Sequence, residues 1–462
     1  MADKCQGMFL WIKMQQNHLG CRKTRKQLQD IVNKMPTGLT NTYERNWKEI
    51  QKKEEDERNR AVAILRWVIF AVRPLTVLEI TDALLTHNSN HNDKELPVDE
   101  LPVIDDEYIN LEIKDICGSL VDIRASDLED SPASRTIQLI HFSVREFLVS
   151  VLPSPYAFYD ININMPTESS HHTVLAETCL RYLGYSNVWQ ALNSGKRERC
   201  FRPFVNYSTT SWPTHYRQYH SSLLPIFRKF FDEDNPNFQN WRDHFESIYV
   251  LNENDSPNQE ATPSTPLYYI ALFGLLPDFE FTSQVLYRDL NQHNGRFGSP
   301  LSAACSNGHL KTFQRLIQIG ADINAEGGQF GSALNTAVTK NQEEMVRTLV
   351  ALGASQEPRD FLGRSPVYIA SKGGSAHFVS LLLQHGGDII TTNNYGYSPL
   401  NVAASCGHLE VVRLLLEKKA DLTVVNSGGW TPLNSACYNG HLEVVRLLLE
   451  KKADLTVVNS EG

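Results

Sequence analysis

The stretch Gly407–Ser427 reads GHLEVVRLLLEKKADLTVVNS, and Gly440–Ser460 reads the same 21 letters 33 residues later. Earlier in the chain, a proline recurs at this spacing in every unit but one, which has an alanine instead. The first proline is offset from the spacing by one residue. These positions are Pro432, Pro399, Pro366, Ala333, Pro300 and Pro266. A fixed period over about six units predicts a stacked repeat array, an architecture that presents surfaces and rarely carries out chemistry.

The residues around each proline indicate how one unit folds. Thr431 and Ser398 directly precede Pro432 and Pro399, as expected for a helix N-cap followed by a proline whose missing N–H costs nothing. Gly440 is suited to end that helix. The second helix carries an apolar stripe that one unit cannot bury alone, so we expect its members to be core residues between neighbouring units: Leu442, Val445, Leu448 and Leu449.

This pattern, Thr/Ser-Pro-Leu, then GHLEVVRLLLE, then Ala-Asp, resembles the ankyrin repeat over residues 265–462. The chain departs from the family where ankyrin units usually place a histidine after Thr-Pro-Leu. That slot holds Tyr268, Ser302, Asn335, Tyr368, Asn401 and Asn434. Because asparagine can donate and accept hydrogen bonds, we expect a somewhat different polar ladder between the repeats.

Composition narrows the class of protein. A chain of 462 residues with net charge −9 argues against a general binder of nucleic acid or of anionic membranes. Its eight cysteines form no C-x-x-C pair, which predicts reduced and mostly buried thiols. The most apolar run, 61–72, is too short to span a bilayer, and no secretory signal follows Met1. We therefore expect a soluble, cytoplasmic protein without a membrane partner.

The N-terminal part predicts a winged helix. Its periodicity indicates three helices, a two-stranded hairpin and a final helix through Val151 that Ser143 and Glu146 cap. Thr76 with Glu79 is typical of a capping box at the start of the second helix. The three helices and the two strands are expected at 58–72, 76–85, 106–116, 120–124 and 136–140.

Winged helices often bind DNA through the third helix. Here that helix carries four acidic residues and one lysine: Asp106, Glu107, Glu112, Asp115 and Lys114. Such a helix repels phosphates, so we favour a role in protein packing. A nucleic-acid-binding regulator remains the alternative function.

A second resemblance covers roughly 1–185. The segments Gly7–Trp11, Leu39–Tyr43, Arg73–Thr76 with Glu79, and His141–Leu148 resemble the region after the NACHT nucleotide-binding domain in fungal NACHT-ankyrin (STAND-type) signalling proteins. In that family the region is a neck between a nucleotide switch and a ligand-sensing repeat array. No phosphate loop G-x-x-x-x-G-K-[ST] occurs here, so we expect the C-terminal portion of such a protein without its NTPase.

Other catalytic patterns are missing from the sequence. There is no G-x-S-x-G nucleophile elbow, no H-E-x-x-H and no G-x-G-x-x-G. His171 and His172 lack partners at ligand spacing, and we expect them to be solvated residues preceding a helix over 173–183. The aromatic residues of 186–264 are expected to form the core of a helical connector. These patterns predict a protein that is no enzyme, with no cofactor, no metal and no small-molecule substrate.

The expected fold is mostly α. It consists of a helical post-NACHT segment (1–57), a winged-helix domain (58–152), a helical connector (153–264) and about six ankyrin repeats (265–462), of which the last is uncapped. The expected function is non-catalytic protein–protein recognition, as a scaffold or sensor normally coupled to an upstream NACHT NTPase. We expect a protein partner and no nucleic acid.

The resemblance to ankyrin repeats implies where the partner binds. In that family the turns between units and the positions just before the glycine project from the array. Large aromatic and arginine side chains are also favoured at interface hot spots. Phe297, like its equivalent Phe330, could instead pack within its turn, and Trp430 could merely cover its neighbour. The candidate partner-binding residues are Arg296, Phe297, Phe361, Arg364, Tyr395, Tyr397, Trp430 and Tyr438.

Overall fold

The computed structural model describes residues 38–88, 95–97, 102–125, 131–153, 167–193, 203–217, 224–232, 234–251, 265–275, 290–293 and 295–457. Gly7–Trp11 and most of the predicted segment 1–57 lie outside them. The described part is mostly α-helical, as predicted, and divides into two compact units, Met1–Asp255 and Ser256–Gly462. Among the described helices, none combines the length and apolar character needed to cross a lipid bilayer.

The described part of the first unit begins with helices α1 (Gly38–Gln51) and α2 (Glu55–Phe70). The apolar run of α2 is buried, and the helix ends where the backbone becomes extended ahead of Arg73-Pro74. Strand β1 (Leu75–Thr76) leads into α3 (Val77–Asn88). The capping box is confirmed: Thr76 N–H donates to Glu79 Oε2 (2.9 Å), and Glu79 N–H donates to Thr76 Oγ1 (3.2 Å).

Helix α4 runs through three consecutive segments and completes the predicted trio. An α-helical turn at Asp106–Ile109 widens into a π-helical segment at Asn110–Lys114 and tightens again at Asp115–Cys117. Gly118 then leaves the helix with φ +62°, a conformation that glycine adopts without steric cost.

The wing is a small antiparallel sheet. Strands β2 (Val121–Arg124) and β3 (Thr136–Leu139) form the predicted hairpin, with Ile123 opposite Ile137. The sheet has a third strand that we did not predict, since β1 also pairs with β3 and gives the order β1-β3-β2. Three helices and this sheet confirm the winged-helix architecture.

Helix α5 (Phe142–Val151) closes the domain, and its predicted cap is wrong. The N-cap is His141, whose ring accepts from Ser143 N–H (3.3 Å). The Ser143 hydroxyl instead lies 2.8 Å from the hydroxyl of Tyr43 and so joins α5 to α1.

Helices α6 to α10 follow and pack around an aromatic core, as predicted. Phe201 lies outside the described residues, but Trp189, Trp212 and Trp241 are all buried. Trp212 and Trp241 meet with ring centroids 6.3 Å apart. The five helices are α6 (Thr167–Leu183), α7 (Ser186–Asn193), α8 (Phe204–Tyr216), α9 (Leu224–Phe230) and α10 (Pro236–Leu251).

The prediction that His171 and His172 are solvated is wrong, because α6 begins at Thr167 and carries both histidines against other helices. His171 is 1% exposed, stacks on Phe70 and accepts from Arg66 Nε (3.1 Å). His172 Nδ1 lies 2.8 Å from Nδ1 of His215 in α8. Within the described residues no group of three or more His, Cys, Asp or Glu side chains is placed to hold a metal ion.

Burial keeps this histidine cluster neutral. It lowers the pKa of His171 to about 4 and that of His215 to about 3, since the charged imidazolium is poorly solvated there. His215 Nε2 lies 2.8 Å from the Tyr207 hydroxyl, which accepts from Val72 N–H (3.1 Å) just after α2. The cluster thereby links α2, α6 and α8.

The prediction of mostly buried cysteines holds for three of the five that the structure describes. Cys117, Cys179 and Cys305 are buried, and burial raises the pKa of Cys117 and Cys179 to about 12. Cys406 and Cys437 are exposed. The remaining cysteines, at positions 5, 21 and 200, lie outside the described residues.

In the second unit, the described residues form one helix followed by five inner–outer helix pairs. Every inner helix of the five pairs begins after a serine or threonine whose hydroxyl accepts a backbone N–H three residues on, as with Ser299 and Ser302 (3.2 Å). The helices are α11 (Pro266–Phe273), then the pairs α12 (Pro300–Ser306) and α13 (Leu310–Gln318), α14 (Ala333–Thr339) and α15 (Glu343–Ala351), α16 (Pro366–Lys372) and α17 (Ala376–Gln384), α18 (Pro399–Ser405) and α19 (Leu409–Glu417), and α20 (Pro432–Tyr438) and α21 (Leu442–Glu450).

The asparagines that replace the family's histidine do form a polar ladder. Asn335, Asn401 and Asn434 each donate through Nδ2 to a carbonyl 23 residues on, at distances of 3.0, 3.2 and 3.0 Å. Tyr368 uses the same position differently, since its hydroxyl accepts from Asn393 Nδ2 (3.2 Å). Each of these side chains ties an inner helix to the segment that leads into the next unit.

The predicted apolar stripe of α21 is largely wrong. Leu448 is buried as expected, but Leu442 is 58% exposed, Leu449 is 41% exposed and Val445 is half-buried. In α19, which has the same sequence, the residues at the two exposed positions are half-buried, and Val412 is buried. Since α21 packs on α19, the neighbouring unit rather than the helix sequence decides the burial at these positions.

Candidate protein-interaction surface

The turns between the repeats lie side by side and form one continuous edge, which we call the tip ridge (295–299, 326–332, 359–365, 392–398 and 425–431). One backbone hydrogen bond joins each turn to the next. The bonds run from Gln329 N–H to Arg296 O (2.8 Å), from Phe361 N–H to Gln329 O (3.4 Å), from Asn394 N–H to Leu362 O (3.0 Å) and from Ser427 N–H to Tyr395 O (2.9 Å).

A buried acceptor shapes each of the last three turns. Asn426 Oδ1 accepts from Gly428 N–H and Trp430 N–H, both at 2.9 Å. Asn393 and Asp360 make the same pair of bonds in their own turns. Each turn also contains a glycine with positive φ, such as Gly396 at +77°. The backbone that carries the candidate side chains is therefore fixed from within.

The structure divides the predicted partner-binding residues into three groups by accessibility. Phe361, Tyr395 and Tyr438 are exposed, by 46%, 56% and 75% respectively. A second group is half-buried: Arg296, Arg364, Tyr397 and Trp430. Phe297 alone is buried, at 1% exposure.

Phe297 is therefore not available to a partner. Its ring stacks on that of Phe330 in the next turn, with centroids 5.9 Å apart and planes 10° from parallel. The residue packs neighbouring turns together, and its place in the candidate site is corrected accordingly. Arg364 is accessible only in part, because its guanidinium forms an ion pair with the buried carboxylate of Asp360.

Trp430 and Tyr438 come together as one aromatic platform. Trp430 lies in the last turn and Tyr438 is the final residue of α20, and their ring centroids are 5.0 Å apart. Such a pair combines a large apolar area with hydrogen-bonding edges, a combination common at protein interfaces. The corresponding residues one unit earlier are Tyr397 and Ser405.

Sequence reasoning missed some accessible side chains of the same surface. Lys372 ends α16 at the position that Tyr438 occupies in α20, and Arg359 opens the turn of Phe361; both are exposed. Lys340 directly follows α14 and is half-buried. The 33-residue register was the signal that could have identified Lys372.

Comparison with known protein families agrees with the two architectures. Residues 267–360 and 334–426 match "Ankyrin repeats (3 copies)", and residues 407–449 match "Ankyrin repeats (many copies)". Residues 49–158 match "GPI inositol-deacylase, winged helix domain". The chain thus contains ankyrin repeats and a winged helix domain of the GPI inositol-deacylase type.

A curated relative is the "Azaphilone pigments biosynthesis cluster protein L" of the fungus Monascus ruber, which is 28% identical over 318 residues. The match covers 65% of this chain and 63% of that protein, so the chain spans less than two thirds of the relative's length.

Proposed function

We propose that this protein is a non-catalytic scaffold or sensor whose ankyrin array binds a protein partner through the tip ridge and the adjoining ends of the inner helices. We also propose that the chain is the recognition portion of a NACHT-ankyrin signalling protein. The co-occurrence of the two matched domains and the similarity to a fungal protein support this origin. The name of the relative assigns that protein to a pigment biosynthesis cluster and states no activity.

One observation carries the proposal. The last two units have identical outer helices, yet their turns and inner-helix ends differ at accessible positions. Tyr397 and Ser405 in one unit correspond to Trp430 and Tyr438 in the next. Some buried positions vary as well, such as Val402 against Ser435, but at the accessible positions the later unit carries the larger pair, and its Tyr438 is 75% exposed.

The acidic helix of the winged domain supports protein contact over DNA contact. Glu112 of α4 forms an ion pair with Arg60 (2.8 Å), and Asp106 forms one with Arg135. Nearby cations are thus already engaged by carboxylates, whereas a DNA-binding helix needs them for phosphates.

Site-specific photo-cross-linking tests the proposal. We would replace Tyr438 with p-benzoylphenylalanine, irradiate the protein in an extract of the cells that express it, and compare adducts with those formed from the same residue at position 413. Arg413 lies exposed on outer helix α19 of the same array. We expect a protein adduct from position 438 that is missing at 413. Equal adducts at both positions, or none at 438, would contradict the proposed surface.

A further inference from the structure

The cations of the array are not evenly placed. Five basic side chains lie at the tip ridge or at inner-helix ends: Arg296, Lys340, Arg359, Arg364 and Lys372. The same turns carry two carboxylates, Glu326 and Asp360, and the second is buried in its ion pair with Arg364. This edge is therefore positive in a chain whose net charge is −9.

The surroundings of these cations differ from those on the outer helices. Arg296 donates through Nε to the neutral Gln329 (3.1 Å), and Lys340 Nζ lies 5.9 Å from the centre of the Phe330 ring. Arg359 is an exception, because it lies near the carboxylate of Asp388, which is outside the turns. On outer helices α15, α19 and α21, by contrast, the arginine sits beside a carboxylate of its own helix, as with Arg347 and Glu343 at 2.8 Å.

The repeat register shows that the positive charge ends partway along the ridge. The pair Arg364 and Lys372 occupies the positions that Trp430 and Tyr438 occupy two units later. The turns 392–398 and 425–431 and the helix ends 404–406 and 437–439 contain no Asp, Glu, Lys or Arg. The edge thus has a basic half, from Arg296 to Lys372, and an uncharged aromatic half, from Tyr395 to Tyr438.

We propose that this edge binds an extended protein segment that is acidic where it crosses the basic half and apolar or aromatic where it crosses the aromatic half. The inference rests on the proposed function and specifies its partner. Complementary charge orients such a segment and speeds its association, while the desolvated aromatic contacts supply most of the affinity.

A nucleic acid is a poorer fit for the same surface. Phosphates repeat along a whole strand and require cations along the whole track. The aromatic half provides none in its turns and helix ends. An acidic protein segment, whose charge can be confined to one end, matches this division.

Selection from a random-peptide display library on the full chain tests the inference. We expect the selected peptides to be enriched in Asp and Glu at one end and in apolar residues at the other. When the acidic residues of a labelled selected peptide are replaced by Asn and Gln, its affinity for the full chain should fall by at least about tenfold. Raising the salt concentration should remove this difference in affinity between the acidic and the neutral peptide.

The matched variants are Arg359→Glu with Lys372→Glu, and Lys311→Glu with Arg315→Glu on the exposed side of α13 as the control. The first pair of substitutions should lower the affinity for the acidic peptides by at least about tenfold, and the control variant should bind them as the wild type does. No acidic enrichment, equal loss in the control, or tighter binding of oligo-dT than of the peptides would overturn the inference.

A third variant separates this inference from the proposed function. If the surface is right but the partner segment is not acidic, the variant Tyr397→Ala/Trp430→Ala/Tyr438→Ala still lowers the affinity for the selected peptides. The charge-reversal variant then leaves that affinity unchanged. If the proposed surface itself is wrong, neither variant changes the binding of any selected peptide.

Discussion

The ring of Tyr438 stands edge-on to the indole of Trp430, with the ring centroids 5.0 Å apart and the planes at 79°. One ring comes from a turn and the other from the end of an inner helix. Their contact joins two positions at which the last two units differ. Tyr438 nevertheless remains 75% exposed, so the contact with Trp430 covers little of the tyrosine side chain.

Replacing Tyr438 by alanine should therefore scarcely change stability. We expect a loss of less than about 1 kcal/mol in the free energy of unfolding, since mainly one ring contact is removed. Leu448→Ala is the comparison, because Leu448 is fully buried in the same unit and its loss should cost about 2–5 kcal/mol. Urea unfolding followed by circular dichroism measures both. Equal losses would make Tyr438 a core residue.

The asparagine ladder makes a prediction about the stability of the array. Asn401 is fully buried, and its Nδ2 donates to Val424 O (3.2 Å) and to Trp430 O (3.0 Å). Asn401→Ala leaves both carbonyls without this donor and should cost about 1–3 kcal/mol by urea unfolding. The control is Asn439→Ala at an exposed site. A cost no larger than that of the control would show that the ladder is dispensable.

The buried histidines predict that the first unit loses stability on acidification. The pKa of His171 lies at about 4 and that of His215 at about 3, below the ordinary value of 6.5. Below pH 6.5 the unfolded chain takes up protons that the folded chain still refuses, so the free energy of unfolding falls as the pH falls. We expect a loss of roughly 1–3 kcal/mol between pH 7 and pH 5.

Tryptophan fluorescence during urea unfolding reports this change, because Trp67 lies beside His215 with ring centroids 6.5 Å apart. His215→Gln should make the pH dependence shallower, since glutamine does not titrate in this range. His385→Gln removes an exposed histidine of the array and should leave the dependence unchanged. A wild-type stability that is flat between pH 7 and pH 5 would contradict the assignment of neutral buried imidazoles.

Much of the fold could be predicted because its signals are local or periodic. The 33-residue spacing and the Ser/Thr-Pro starts gave the array, and Thr76 with Glu79 gave the start of α3. Strand β1 escaped prediction because two residues carry no period, and only pairing with β3 makes Leu75–Thr76 a strand.

The errors concern contacts between distant parts of the chain. His171 looked solvated among polar neighbours, but Arg66, 105 residues away, and Phe70 enclose it. The repeat register placed Phe297 in a projecting turn and left open whether it packs there, and the stacked rings of Phe297 and Phe330 confirm that alternative. Register predicts which positions lie in a turn, whereas the neighbouring unit decides which side chains stay accessible.

The most direct test of the central claim is the affinity of the protein cross-linked from position 438 for the full chain carrying Tyr397→Ala, Trp430→Ala and Tyr438→Ala. Calorimetric titration gives the dissociation constant, and far-UV circular dichroism verifies the helical content. We predict that affinity falls by more than about tenfold, as expected when aromatic hot-spot side chains are truncated, while the helical content is unchanged. A folded triple variant that binds this partner as tightly as the wild type would contradict the claim.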